Sequence, residues 1–158
     1  MTIVETLKDI TEVLPVVAVI SAVALFITAK INRQQLKVSQ QKLKLDLFEK
    51  RLEAYQSIQD YLFEVLQEYE INNANIQKLN YIADKYYFLF GSDIDKWIQE
   101  VIEKSKYANK LRLRLKDLNP GSERSQLVKE HGDLLDWHIE QMKKSKTLYS
   151  KYMKIEYF

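Results

Sequence analysis

The stretch FEKRLEAYQSIQDYLFEVLQEY, Phe48 to Tyr69, sets Leu52, Tyr55, Ile58, Leu62, Val65, Leu66 and Tyr69 at spacings that return to one side of an α-helix. An apolar stripe of that width is stable only when other helices cover it, so the stretch predicts a helical bundle. No Gly or Pro interrupts the chain from Lys30 to Glu70, and the whole sequence of 158 residues holds only 3 Gly and 2 Pro. A β-sandwich needs turn signals every 8–12 residues, and a phosphate loop needs clustered glycines, whereas Gly91, Gly121 and Gly132 stand alone.

Downstream of that stretch, Asn72, Asn73 and Asn75 mark the first break, because short amide side chains substitute for backbone partners at turns and helix starts. A second helix then runs to FLF at Phe88 to Phe90, and Gly91 ends it. Ser92 with Asp95 makes a capping pattern for a third helix carrying Trp97, Val101, Ala108, Leu111, Leu115 and Leu118 inward. LRLRLK, Leu111 to Lys116, alternates like a strand. Leu111, Leu115 and Leu118 nevertheless continue the upstream helical stripe, and a lone strand would have no ladder, so helix is expected there. Pro120 and Gly121 turn the chain, and Ser122 opens a final helix with Val128, Leu135, Ile139, Met142, Tyr149 and Tyr152 inward.

Upstream, VLPVVAVISAVALFITA from Val13 to Ala29 carries no charge, and its 17 residues reach about 25 Å as a helix, the short end of a bilayer span. Val13, Leu14, Val16, Val17, Val19, Ile20, Val23, Leu25, Phe26 and Ile27 supply its hydrophobicity, and Pro15 sits in the first turn, where its missing N–H is tolerated. Glu5, Asp9 and Glu12 precede the run. Lys30, Arg33, Lys37, Lys42 and Lys44 follow it before the first acid at Asp46, so the positive-inside bias places the C-terminal side in the cytoplasm of a cell with an inner membrane.

The expected fold is all-α: an N-terminal transmembrane helix continuing into a long stalk helix, followed by an antiparallel helical bundle. The expected organisation is residues 1–12 outside the cytoplasm, 13–29 in the membrane, 30–47 as stalk and 48–158 as cytoplasmic bundle. Within the stalk, Ile31, Val38, Leu45 and Leu52 recur every seven residues, with Gln34, Gln41, Phe48 and Tyr55 three residues after each, which marks a seam for self-association.

The order of acidic N-terminus, single span, Gln/Lys-rich stalk, LDLFEKRLEAY at Leu45 to Tyr55, FLFG at Phe88 to Gly91 and W-x-x-x-Q at Trp137 to Gln141 resembles a group of bacterial single-pass membrane proteins with a cytoplasmic helical bundle and no assigned activity. The resemblance implies an architecture and no reaction.

Chemistry-bearing motifs are few. With 24 Lys plus Arg against 22 Asp plus Glu, the net charge of +2 is too small for the electrostatic footprint of a nucleic-acid binder. The densest basic cluster, Lys104, Lys106, Lys110, Arg112, Arg114 and Lys116, sits in no recognisable reading motif and suits a solvated face or an acidic partner. No Cys is present, which excludes thiolate ligands and thiol catalysis. His131 and His138 are seven residues apart, about 10 Å along a helix, too far for one ion, and neither has a carboxylate three residues before it. Asp60, Glu64 and Glu68 read as a solvated stripe.

No catalytic residue, cofactor, metal, nucleic acid or small-molecule substrate is expected. The partners expected are the lipid bilayer and either another protein or further copies of the chain. The function expected is a non-enzymatic anchor, adaptor or sensor; the alternative is a small oligomeric effector that perturbs membranes.

Overall fold

In a computed structural model of the chain, the backbone is described for residues 3–154 and the side chains for residues 18–154. Among the described residues four helices make up the fold: α1 (Ile3–Glu68), α2 (Asn73–Tyr86), α3 (Ser92–Asp117) and α4 (Ser122–Ser150), with a 3₁₀ turn at Tyr87–Leu89 after α2. No strand is present among the described residues, and LRLRLK lies inside α3. The fold is all-α, as the sparse Gly and Pro required. It divides into two compact units, residues 1–44 and 45–158.

The second unit is a bundle of alternating direction. Arg51 near the start of its share of α1 donates to the carbonyls of Leu89 and Tyr152, which follow the ends of α2 and α4. Trp97 early in α3 meets Tyr149 late in α4, and Tyr107 further along α3 meets Glu130 nearer the start of α4. Consecutive helices therefore run antiparallel. Ile58, Tyr61, Leu62 and Val65 of α1, Leu79 of α2, Ile94, Val101 and Ile102 of α3 and Leu135 and Tyr149 of α4 form one buried core.

Local chemistry sets the breaks. Asn72 is the N-cap of α2: its side chain accepts from the N–H groups of Ala74 and Asn75, while the Asn75 side chain accepts from the Asn72 N–H. That reciprocal pair is a capping box, built here from asparagines. The start of α3 departs from expectation. Its N-cap is Gly91, with no side-chain cap, and Ser92 is the first helical residue. Asp93 is engaged instead by the end of α4, accepting from the Tyr152 hydroxyl at 2.6 Å with Lys151 Nζ 2.7 Å away.

The register of α4 is also corrected. Val128 is 47% exposed, and Leu127 is buried in its place. The inward stripe is Leu127, Leu135, His138, Gln141, Ser145 and Tyr149, so half of it is polar. On α1, Leu66 is exposed, and so is Tyr69, where the chain turns just past the helix end at Glu68 through a positive φ of 48°.

In the first unit every described side chain is exposed, including Val19, Ile20, Val23, Leu25, Phe26, Ile27, Ile31, Leu36, Val38 and Leu43. Of the predicted span, Val13, Leu14, Val16 and Val17 lie outside the residues whose side chains are described. Among the described residues no helix is long and apolar enough to cross a membrane. The apolar remainder, Ala18 to Ala29, falls well short of the roughly 20 residues a bilayer crossing takes.

Candidate functional site

Lys30, Arg33, Lys37, Lys42 and Lys44 all lie on the exposed part of α1 in the first unit. Of the seven-residue series, Ile31, Val38 and Leu45 are 46%, 63% and 50% exposed, whereas Leu52 is half-buried in the second unit. The basic cluster on α3 does not form one patch. Arg112 Nη1 donates to Glu70 at 2.7 Å, its Nε and Nη2 donate to Asn109, Arg114 reaches Glu123, and Lys106 pairs with Glu103. Lys104 turns to α4, its ammonium 5.0 Å over the Trp137 ring. Glu64, expected on a solvated stripe, is half-buried and accepts from Asn75 and Lys78.

Sequence reasoning missed a chain of polar side chains inside the bundle. Ser105 of α3 is fully buried, and its Oγ lies 2.7 Å from the Tyr61 hydroxyl of α1 and 2.9 Å from His138 Nε2 of α4. His138 Nδ1 lies 2.7 Å from the Leu134 carbonyl and donates to it, which leaves Nε2 an acceptor facing Ser105 Oγ, while the serine hydroxyl also lies within donating reach of the Val101 carbonyl at 2.7 Å. Burial holds the His138 imidazole below its ordinary value, with the nearby Lys104 charge acting in the same direction. It also pushes the Tyr61 hydroxyl up to about 12.

A serine hydroxyl within reach of an imidazole is the geometry of an activated nucleophile, but Ser105, His138 and Tyr61 are all fully buried. No carboxylate orients the ring: its second nitrogen faces a backbone carbonyl. The arrangement pins α1, α3 and α4 to one another. The Trp97 indole donates to Gln141 at 3.0 Å in the same interior, a second polar tie between α3 and α4 that the W-x-x-x-Q stretch supplies. The Gln141 side chain in turn donates to the Trp137 carbonyl.

His131, the other imidazole, is half-buried, and burial also holds it below its ordinary value. Among the described residues no group of three His, Cys, Asp or Glu side chains is placed to hold a metal ion.

The outer side of the α3–α4 pair carries an open groove of about 480 Å³, lined by Glu103, Lys104, Tyr107, Glu130, Asp133, Leu134 and Trp137. Two aromatic rings and three carboxylates face one lysine. The Tyr107 hydroxyl donates to Glu130 at 2.7 Å, which raises the phenol above its ordinary value. A groove of this composition suits a cation, and Lys104 over Trp137 is a cation already seated in it.

A second exposed feature is the turn after α2, where Phe88 is 93% exposed and stacks edge-on with Tyr87. In comparisons with known proteins, no family model, no curated protein and no solved structure matches this chain.

Proposed function

We propose that the protein is a single-pass membrane protein of the inner membrane, with residues 13–29 in the bilayer, the bundle in the cytoplasm, and the bundle acting as an anchor or adaptor for a protein partner. The observation that carries this reading is the charge-free run from Val13 to Ala29, bounded by acids before it and by five basic residues after it. The described part of the run supports it: Val19, Ile20, Leu25 and Phe26 are 62–73% exposed. Apolar surface that dense calls for a solvent other than water. The surface we assign to the partner is the groove between α3 and α4, whose carboxylates and rings favour a basic segment.

Fractionation tests the span. Val19→Lys introduces a charge costing about 2.5–3.5 kcal/mol near the membrane centre, comparable to the whole gain from inserting so short a run. The variant should move from the membrane to the soluble fraction. Unchanged fractionation, or a reporter after Phe158 active only outside the cytoplasm, overturns the reading.

A further inference from the structure

In the first unit, Ile20, Ala24, Ile27, Ile31, Gln34, Val38 and Gln41 follow one another at spacings of four and three in strict alternation, and all are exposed. This is the seam pattern of helices that wind about each other, with Ala24, Ile31 and Val38 in one set of layers and Ile20, Ile27, Gln34 and Gln41 in the other. Leu45, at the next spacing of four, is also half-exposed. We propose that this stripe is a parallel, in-register contact with a second copy of the chain.

Three observations select a second copy over any other occupant. The first is shape. A shallow groove of about 390 Å³ on this face is lined by Ile31, Gln34, Gln35, Val38 and Ser39. Residues at relative positions 0, 3, 4 and 7 form the hole that receives a knob from a parallel helix, and the knob that register supplies is Gln34 of the other copy.

The second is chemistry. A side-chain amide both donates and accepts, so two Gln34 side chains, and likewise two Gln41 side chains, satisfy each other across a symmetric seam. An apolar helix or a lipid tail in the same place would leave them unpaired. The third is size. From Ile20 to Gln41 the helix rises about 33 Å, and covering roughly two-fifths of its girth buries on the order of 500–600 Å² per copy. Two copies together reach the roughly 1,000 Å² that a specific interface needs. The glutamines make this a contact of defined register and modest strength, since polar seam residues specify pairing at a cost in stability. Lys37 of one copy faces Lys42 of the other in this register, so association strengthens with added salt.

The chain contains no cysteine, so single substitutions report position without background. Full-length Gln34→Cys and Gln41→Cys should form disulfide-linked pairs on mild oxidation, at least ten-fold more than Arg33→Cys and Gln40→Cys, in membranes and in mild detergent alike. Linking at Leu36→Cys and Leu43→Cys instead, on the face about 160° away, overturns the proposal, as does equal linking everywhere or none. Sedimentation of the full-length protein gives a second reading that needs no disulfide. The wild type should be associated, Gln34→Glu with Gln41→Glu should be monomeric, and the thermal transition of the bundle should be the same in both. A monomeric wild type overturns the seam. Neither reading depends on where the protein resides, so failure of the membrane assignment and failure of the seam are separately visible.

Discussion

His138 is fully buried, edge-on to Trp137 of its own helix and beside Ser105 of α3, and burial together with the nearby Lys104 charge holds it below its ordinary value. Unfolding releases it to its ordinary value of 6.5, so below that pH the unfolded chain takes up a proton that the folded chain refuses. Its contribution to stability is therefore complete above pH 6.5 and is lost as the pH falls through that value, by up to about 1.4 kcal/mol per pH unit. His131 acts in the same direction. The surface carboxylates behave differently. Glu53, held by Lys50, Lys85 and Tyr86, and Asp93, held by Lys151 and Tyr152, titrate at about 2 when folded, so their contribution disappears only below about pH 4.5. Denaturant melts should show stability falling between pH 7 and pH 5, with a shallower fall in His138→Gln. An equal slope in both proteins would show that the imidazole is not excluded from protonation. The sequence ruled out a shared metal for the two histidines through their spacing, but it left their burial open. An imidazole is apolar enough for a core and polar enough for a surface, and only the partners from α1 and α3 decide between the two.

At the scale of elements, the breaks written in local chemistry were legible and those written in distant contacts were not. Asn72 and Asn75 cap α2 from within one turn, and the sequence shows them. The start of α3 is organised from the far end of the chain: the Tyr152 hydroxyl accepts from the Gly91 N–H at 2.9 Å and donates to Asp93. The register of α4 was misread for a related reason. A search for apolar residues passes over His138, Gln141 and Ser145, which are inside because α1 and α3 offer them partners, and so it drifts to Val128. Gly91 shows how tight the α3 start is. Its φ of −86° is open to any residue, but a Cβ there would lie 2.5 Å from the Tyr152 hydroxyl. Gly91→Ala should therefore destabilise the bundle by about 1–3 kcal/mol, the usual cost of overpacking. Tyr152→Phe removes the obstructing oxygen, and the double variant should lose less than the two single losses combined. Strict additivity in a double-mutant cycle would show that the two positions do not share this contact.

For the molecule as a whole, the two units differ in what covers their apolar residues. In residues 45–158 the large side chains of four helices close over one another, with Tyr61, Leu62, Ile71, Leu79 and Ile94 at 0% exposure. In the first unit every described side chain is exposed. Composition could announce the bundle, because amphipathic stripes separated by turns have one solution. It could not say where the α1 stripe changes purpose: Leu45 and Leu52 sit seven residues apart on one pattern, yet Leu45 is half-exposed and the residues around Leu52, from Ala54 to Ile58, enter the core. A fragment beginning at Leu45 should thus fold with a cooperative thermal transition and remain monomeric. Within it Ile58→Ala, at 2% exposure, should cost about 2–5 kcal/mol, while Leu45→Asp should leave the transition in place. If Leu45→Asp lowers the transition as much as Ile58→Ala does, the stripe ahead of Leu52 belongs to the bundle, and the division of labour along α1 is wrong.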